Sequence, residues 1–472
     1  MTKAVWMFPG PSSHVAGALG QLVDPGSQQM SLLKTIDAVS EEYGWGPVSP
    51  LLLGPADENE PQTPGHLWLG FFATSLVLSE LLIDAGVPGD VLVGHSGGEV
   101  TAMVVAGSMT VEDAARVLCE RTLAVDGSGL PASAMVALNA PARRVARLIE
   151  AVGDSSLALA VDNGPDQVVV SGLLPALDKL EDAAAALEIK AHRLKIPSGY
   201  HNPILGGAAR RLTDRIRSFP VGAPRREVYS PQLQRVMATA DDARDLLAGT
   251  LVLPVHYRRS LRVLYDDGAR LFVECGARQV LTELVPQALP AAADAVALLT
   301  GRAQARAVPQ LIRTLAAEHA EGWPGESLLT VEAAGPSAEV APVAVAVPVP
   351  APAEPAEPAA PVAPGVPEPV RTHDPAPAPV PAPAPDGLPA EAALRDRVRQ
   401  AYAEALRFPA EMVEDDTELE GELGISSLQR TNVFVQLLNT FDLPNPDESV
   451  QIFKYRTVAE MAGLLRELAA SR

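Results

Sequence analysis

A segment dense in proline constrains this chain more than any other feature of its sequence. Eighteen of the 44 prolines in 472 residues lie between Pro336 and Pro389. Because proline lacks a backbone N–H and fixes its own φ angle, neither a helix interior nor a central strand forms at that density. The composition predicts an extended, polyproline-like linker over residues 331–387, with a separately folded region on each side. A packed loop is the less favourable interpretation at this length.

Composition narrows the classes of protein to which these regions can belong. A chain of this length suits two or three domains. The net charge of −21 predicts no nucleic-acid partner, since few cations would face the phosphates. The two cysteines, Cys119 and Cys275, form no CxxC pattern, so they predict neither a metal site nor a disulfide framework. We therefore expect a cytoplasmic protein.

The sequence also predicts no membrane partner. The first residues contain only a few apolar side chains before Pro9 and Gly10, which indicates a buried first strand rather than a signal peptide. The most apolar run, Leu67–Leu78, is too short to cross a bilayer.

Strand-like and helix-like runs alternate before the linker, which predicts an α/β fold with a parallel sheet over residues 1–325. Between Ala134 and Ile196, two strand–helix–strand cycles follow one another. They predict a small inserted α+β subdomain over about residues 134–196. Residues 388–472 are predominantly helical in pattern and predict a separate small bundle.

A Gly-x-Ser-x-Gly motif follows one of the predicted strands. Gly94, Ser96 and Gly98 stand between a buried β-rich run and a helical run. In that setting the motif predicts a nucleophile elbow, in which a sharp turn projects the serine hydroxyl above the sheet. The helix N-terminus and the Gly97 N–H would then face a developing oxyanion. A tight turn without catalysis is the alternative.

A serine nucleophile needs a base, and eight histidines offer several candidates. His201 follows a strand-like run within a loop, where side chains reach the rim of an active site. His95 is adjacent to the serine, where neighbouring side chains point apart. His192 and His256 lie in or near strands and could be packing residues.

Arg121 lies on the apolar face of a predicted helix that begins at Thr110 with a capping-box-like pattern. The apolar stripe of this helix comprises Ala114, Val117, Leu118 and Val125. A guanidinium on such a face requires an anionic partner. That partner is either a protein carboxylate or a substrate carboxylate held in a bidentate fork.

These motifs resemble those of malonyl-CoA:acyl-carrier-protein acyltransferases and of the acyltransferase domains of polyketide synthases. The resemblance covers about residues 4 to 320 and includes the family's GHSxGE signature at Gly94–Glu99. The other landmarks, in order, are Phe8-Pro9-Gly10, Arg121, Asn163–Gly172, His201, Leu253-Pro254-Val255 and Phe272–Gly276.

The resemblance implies a fold and a mechanism. The fold would be an α/β-hydrolase-like acyltransferase core with an inserted ferredoxin-like subdomain. Ser96 would attack an acyl thioester, His201 would accept its proton, and Arg121 would bind the carboxylate of a malonyl-type acyl unit. A backbone carbonyl, expected near Thr250, would orient His201.

Three departures from the family bear on the substrate-binding residues. Pro11 stands where the family uses a backbone N–H as an oxyanion donor, and proline has none. The specificity motif is Ser198-Gly199-Tyr200-His201, in which Tyr200 favours a small acyl group and Gly199 is expected to open space beside it. Gly97 is smaller than the usual residue after the nucleophile.

The region after the linker resembles an acyl carrier domain, which implies a four-helix bundle. Thr417–Arg430 is similar to the carrier signature, and alignment makes Ser427 the acceptor of a covalent 4'-phosphopantetheine. Ser427 would stand at a helix N-terminus, which suits a phosphodiester. Ser426 replaces the family's usual aspartate. An interaction bundle without a prosthetic group is the alternative.

Together the motifs and the resemblance predict an acyltransferase of polyketide or fatty-acid-like biosynthesis. It would transfer a malonyl-type acyl unit from coenzyme A or a carrier thioester, through an ester on Ser96, to the phosphopantetheine thiol of a carrier protein. Its partners would be an acyl-CoA, a carrier domain in cis or in trans, a ketosynthase or other synthase enzymes, and a phosphopantetheinyl transferase. An acyl-carrier thioester hydrolase is the alternative, which Arg121 disfavours and Pro11 favours. A degenerate docking scaffold is the third possibility.

Overall fold

The computed structural model describes residues 3–13, 15–55, 63–319 and 388–406, together with part of the C-terminal region. The described positions there are 413–416, 418–419, 433–434, 436–438, 440–441, 443 and 454–470. Ser427 and the predicted linker at 331–387 lie outside the described residues.

A six-stranded sheet forms the centre of the larger region. Its strands are β1 (Lys3–Phe8), β2 (Val91–Gly94), β7 (Glu227–Ser230), β8 (Arg235–Met237), β9 (Ala269–Ala277) and β10 (Asp294–Leu299). Their order is β10-β9-β1-β2-β7-β8, and only β8 pairs antiparallel to its neighbour. The central strands are continuously apolar from Ala4 to Phe8 in β1 and throughout β2, because helices cover both faces of a parallel sheet.

A second, four-stranded antiparallel sheet is inserted between β2 and β7. Its strands are β3 (Ser133–Leu138), β4 (Ala158–Gly164), β5 (Gln167–Leu173) and β6 (Ala191–Arg193). They have the order β4-β5-β3-β6 and are connected as β-α-β-β-α-β, which is the ferredoxin-like arrangement. This small sheet has an apolar core of its own.

Helices surround both sheets. In the larger region they are α1 (Gln28–Glu42), α2 (Ser49–Leu53), α3 (Pro64–Asp84), α4 (Gly98–Val105), α5 (Val111–Asp126), α6 (Ala142–Val152), α7 (Leu174–Ala186), α8 (Gly206–Ile216), α9 (Ala240–Gly249), α10 (Tyr257–Asp266), α11 (Val285–Ala288) and α12 (Val308–His319). Among the described residues, three short 3₁₀ helices span Pro11–Ser13, Pro203–Leu205 and Arg302–Ala307. The predicted cap of α5 is confirmed: the Thr110 side chain accepts a hydrogen bond from the Asp113 N–H at 3.0 Å.

The described part of the C-terminal region is helical, with α13 (Glu391–Leu406) and α14 (Val458–Ala470). Apolar side chains of the two helices share a core with residues from the 433–438 segment. That core includes Leu394, Val398, Tyr402, Phe434, Leu437, Met461 and Leu465. The predicted fold class, an α/β region followed by a helical region, is confirmed.

One described helix, α3, is long and apolar enough to cross a membrane by length and composition. Its 18-residue window is 83% buried inside the protein. The helix is longer than the Leu67–Leu78 run because Thr63 caps it upstream, accepting a hydrogen bond from the His66 N–H. Packing inside the protein accounts for its apolar character.

Candidate active site

Ser96 lies in a sharp turn between β2 and α4. Its φ angle is 57°, in the left-handed region that a residue with a side chain adopts at a cost of about 1–3 kcal/mol. The turn requires glycine on both sides, because a Cβ at Gly94 would lie 2.2 Å from the Glu99 nitrogen and one at Gly98 would lie 2.0 Å from the Phe8 oxygen. The predicted strand–turn–helix setting of Ser96 is therefore present.

His201 faces the hydroxyl of Ser96. The Ser96 Oγ and His201 Nε2 atoms are 2.6 Å apart, and the other ring nitrogen, Nδ1, is 2.9 Å from the carbonyl oxygen of Leu253. The Nδ1–H donates to that carbonyl, which leaves Nε2 free to accept the serine proton. The backbone carbonyl that orients the ring belongs to Leu253, which lies close to Thr250 in the sequence, as expected.

Burial sets the protonation state of His201. Removal from solvent, with the positive charge of Arg121 as the next cause, lowers its pKa to about 3. The imidazole is therefore neutral at pH 7 and can act as a base. A neutral ring that accepts from Ser96 and donates to Leu253 is the arrangement needed to activate a hydroxyl.

A loop from β6 to α8 holds His201, and the small sheet holds that loop. The buried side chain of Asn202 donates to the carbonyl oxygens of Ser156 at 2.9 Å and Ser171 at 3.1 Å. It also accepts from the Ile204 N–H at 3.0 Å, capping the next 3₁₀ helix. These bonds keep His201 at a φ angle of 57°, which is also left-handed.

Gly199 does not open space beside Tyr200, so that expectation is wrong. A Cβ at Gly199 would lie 3.1 Å from the Ala134 oxygen and 3.2 Å from the Ser133 Cβ. The Gly199 N–H donates to the Ser133 hydroxyl at 3.0 Å. Glycine is needed there because the loop packs closely on β3.

Arg121 is 1% exposed and lies on the inward face of α5. None of its three guanidinium nitrogens has a hydrogen-bond partner among the described residues, and no ion pair to a described carboxylate is present. Its charged carbon lies 4.0 Å from the centroid of Trp68 and 4.3 Å from that of Tyr200. Burial lowers its pKa to about 10, which leaves it charged at neutral pH. Of the two predicted partners, the protein carboxylate is therefore not found in this part of the chain.

Gly97 directly follows Ser96 and is the N-cap residue of α4. A Cβ there would lie 2.7 Å from Trp68 Cζ3 and 2.9 Å from Phe71 Cζ. The small size of Gly97 thus does not leave an empty pocket, because aromatic side chains from α3 occupy the volume. Its backbone N–H is one of the helix-terminal donors without an acceptor inside the helix.

Pro11 is buried and starts the 3₁₀ helix after β1. A Cβ on the preceding Gly10 would lie 3.8 Å from the Ser96 Cβ and 3.9 Å from the Gly97 nitrogen. This segment therefore borders the nucleophile, as predicted, and Pro11 offers no N–H to it.

The other candidate bases make different contacts. His95 Nε2 lies 2.8 Å from Asn163 Oδ1, and its ring packs edge-on against Tyr257. His192 is exposed in β6, and His256 precedes α10.

Sequence reasoning assigned no role to Glu99, the last residue of the serine motif, or to Gln232. The buried Glu99 carboxyl group bonds to the Ser230 hydroxyl and accepts from the Gln232 N–H at 3.2 Å. The Gln232 amide nitrogen lies 3.2 Å from the Leu253 oxygen and 3.3 Å from His201 Nδ1. A chain of contacts therefore runs from α4 to the back of the imidazole.

Comparisons with known proteins identify the family of each region. Residues 5–323 match the family described as acyl transferase domain, and residues 396–465 match the phosphopantetheine attachment site family. A 5-methyl-1-naphthoate synthase of Streptomyces sahachiroi is 28% identical over 325 residues, 68% of this chain and 18% of that protein. Polyketide synthase GfsA of Streptomyces halstedii is 30% identical over 259 residues, 53% of this chain and 3% of that protein. The chain thus spans less than a fifth of either relative.

Solved structures show the same fold. The acyltransferase domain from module 8 of the salinomycin polyketide synthase is 26% identical, with a TM-score of 0.59 over 67% of this chain and 75% of that one. The malonyl CoA-acyl carrier protein transacylase of Coxiella burnetii is 24% identical, with a TM-score of 0.58 over 67% of this chain and 98% of that one.

Proposed function

The chain belongs to the acyl transferase domain family and carries a phosphopantetheine attachment domain, and from this premise we propose that it transfers a malonyl-type acyl group to a carrier thiol. The donor would be an acyl-CoA, and the acyl group would rest on Ser96 between the two half-reactions. The proposal is carried by one observation: the Ser96 Oγ–His201 Nε2 pair, 2.6 Å apart, stands in a buried site with the Arg121 guanidinium, which has no hydrogen-bond partner among the described residues.

In the first half-reaction, the Ser96 oxygen attacks the thioester carbonyl carbon while His201 Nε2 takes the hydroxyl proton. The oxyanion of the tetrahedral intermediate faces the Gly97 N–H and the N-terminus of α4, where the helix dipole favours negative charge. The C–S bond then breaks, and the leaving thiolate takes the proton from His201. An acyl ester on Ser96 and a free thiol result.

In the second half-reaction, an acceptor thiol attacks the ester carbonyl. His201 takes the thiol proton and returns it to the Ser96 oxygen as the C–O bond breaks, which restores the free hydroxyl. A phosphopantetheine on Ser427, which lies outside the described residues, would supply such a thiol on a long arm. A phosphopantetheinyl transferase would have to attach it, and a ketosynthase or another synthase enzyme would use the loaded carrier.

Arg121 supports a substrate that bears a free acid. A buried cation without a partner costs several kcal/mol, so the site is more stable when an anion enters. A carboxylate accepts two parallel hydrogen bonds from a guanidinium, which fixes both its position and its orientation. A malonyl unit has the carbonyl for Ser96 and the carboxylate for Arg121 at its two ends.

Mass spectrometry of the intact chain tests the proposal. The Ser427→Ala chain, in which the acyl group can stop only at Ser96, is incubated with malonyl-CoA. We expect one malonyl group per chain on Ser427→Ala and none on the double variant Ser96→Ala/Ser427→Ala. Equal labelling of the two would contradict the assignment of the nucleophile.

Two results would favour the alternatives. Release of free malonate at a rate that an added carrier thiol does not change would indicate a hydrolase. Absence of any acyl ester on Ser96 with malonyl-CoA, methylmalonyl-CoA and acetyl-CoA would indicate a scaffold without catalysis.

A further inference from the structure

Trp68 lies against three parts of the site: Arg121, Tyr200 and the turn that holds Ser96. It lies near the start of α3, is 1% exposed, and packs edge-on against Phe71 and Tyr200 with ring centroids 5.7 Å and 5.2 Å away. The Arg121 guanidinium stacks over it at 4.0 Å.

The other edge of the indole reaches the nucleophile turn. Cζ3 of Trp68 lies 2.7 Å from the position that a Cβ of Gly97 would take, and Gly97 directly follows Ser96. The volume that a side chain at position 97 would fill is thus occupied by the tryptophan. One flat side chain spans from the residue beside the nucleophile to the cation.

The placement of Trp68 constrains what can lie between Ser96 and Arg121. A malonyl group bound at both ends has its middle carbon between them, so a substituent on that carbon must find room beside the indole or the phenol of Tyr200. The centroids of these two rings are 5.2 Å apart, and each lies within 4.3 Å of the Arg121 guanidinium carbon, so the two rings cover adjacent sides of the cation.

Resting on the proposed function, we infer that Trp68 is a specificity-determining residue: it orients Arg121 by stacking and walls the acyl pocket against a branch at the middle carbon. The substrate class is therefore an unbranched, carboxylated acyl unit of malonyl size. Stacking of a guanidinium on an indole stabilises one orientation of the cation, and a fixed guanidinium is what a bidentate fork requires.

A competition experiment tests this inference. The Ser427→Ala chain receives equal concentrations of malonyl-CoA and methylmalonyl-CoA, and the two esters on Ser96 are separated by mass. We expect the malonyl ester to dominate in the chain with Trp68. In Trp68→Ala the malonyl-to-methylmalonyl ratio should fall by at least about tenfold, since a pocket discriminates one methyl group by about 10- to 200-fold.

Two further variants separate pocket volume from general damage. Trp68→Phe keeps an aromatic ring beside the pocket and should retain most of the preference for malonyl. Trp45→Ala removes an aromatic side chain that packs against Gly65 at the start of the same helix, and should leave the ratio unchanged. If Trp68→Ala does not fold, Trp68→Leu is measured in its place and should shift the ratio in the same direction.

The outcomes distinguish the inference from the proposed function. A malonyl ester in the parent chain with an unchanged ratio in Trp68→Ala and Trp68→Leu would overturn the role of Trp68 alone. No ester from either donor in the parent chain would overturn the proposed function itself, and with it the basis of this inference.

Discussion

At the scale of single residues, burial gives His201 its chemistry. Desolvation and the nearby Arg121 charge lower its pKa to about 3, so the neutral base is present at all pH values well above that. We expect the rate of Ser96 acylation to be flat from about pH 5 to 8, without the inflection near 6.5 of an ordinary histidine. Rapid-quench measurement of ester formation across this range provides the check, and a clear inflection near 6.5 would contradict it.

The selectivity for a carboxylated acyl group should depend on Arg121. Arg121→Ala removes the only charge that we assign to the substrate carboxylate. The kcat/KM for malonyl-CoA should fall by about 100-fold or more, because a charge-assisted bidentate contact is lost, while that for acetyl-CoA should change little. Lysine keeps the charge but not the fork, so Arg121→Lys should recover only part of the loss. An equal fall for both donors would argue that the residue is structural.

Pro11 tests the oxyanion site. Pro11→Ala places an N–H beside the nucleophile turn. Alanine is also compatible with the first position of a 3₁₀ helix, so the local backbone should keep its conformation. Since one oxyanion donor is worth about 10²–10³ in kcat, we expect Pro11→Ala to raise kcat by about tenfold or more. Pro50→Ala, a helix-start proline in α2, serves as the control. An unchanged kcat would show that another donor already acts there.

At the scale of secondary-structure elements, Asn202 ties the His201 loop to the small sheet. Asn202→Ala leaves two buried carbonyl oxygens without their donor, which costs about 1–3 kcal/mol for each group. Asn202→Asp keeps a good helix cap but turns a carboxylate toward those carbonyls. We therefore expect Asn202→Asp to be at least as destabilising as Asn202→Ala, with lower kcat in both. Urea unfolding measures the free energy of unfolding of both variants. If Asn202→Asp is as stable as the parent chain, Asn202 acts only as a helix cap.

Glu99 joins α4 to the turn between β7 and β8, and burial raises its pKa to about 8. A folded-state pKa above the ordinary 4.5 means that its contribution to stability is complete below pH 4.5 and is lost as the pH rises through 8. Glu99→Gln keeps a neutral group and does not titrate. Its stability relative to the parent chain should therefore increase between pH 5 and pH 9.

Urea unfolding followed by tryptophan fluorescence at the two pH values measures this difference. The exposed residue Glu227 at the start of β7 supplies the control variant Glu227→Gln. A stability difference between Glu99→Gln and the parent that is the same at both pH values would contradict the protonation of Glu99.

Some of the elements that position the site could be predicted from the sequence, because their side-chain pattern follows from their backbone geometry. A glycine-flanked serine after a buried strand indicates an elbow, and a cap residue with an apolar stripe indicates α5 and places Arg121 on its inner face. Patterns of this kind repeat with the period of the element that they form. The α/β class and the order of the elements follow from the same signals.

Contacts between distant segments were not predictable from single residues. The carbonyl of Leu253 orients His201, but every residue has a carbonyl, so no side chain marks its position. Trp68 belongs to a helix that is buried almost throughout, where an aromatic residue cannot be told from ordinary core. Gly199 was expected to open space, yet a glycine does not show which neighbour occupies the volume beside it.

At the scale of the whole molecule, the sequence places an acyltransferase and a carrier domain on one chain. The predicted linker of residues 331–387 has a reach of up to about 180 Å if it is polyproline-like. A linker of this length is long enough for the carrier domain to approach Ser96 of the same chain, so its length does not prevent transfer within the chain. The question is whether tethering raises the rate above that of transfer between chains.

Complementation between two inactive variants tests whether tethering raises the rate of carrier loading. Ser96→Ala retains the carrier serine, and Ser427→Ala retains the nucleophile, so a mixture of the two can load a carrier only between chains. A tether with a reach of up to about 180 Å confines the carrier to an effective concentration on the order of 10 to 100 µM, so at about 1 µM protein we expect the parent chain to load its carrier about 10- to 100-fold faster than the mixture. The mixture's rate should rise linearly with protein concentration, whereas the parent's rate per chain should not. Ser96→Ala alone gives the background. Equal rates for parent and mixture would mean that the carrier is served by other chains, because a tether that delivers the thiol to its own Ser96 must make loading independent of concentration.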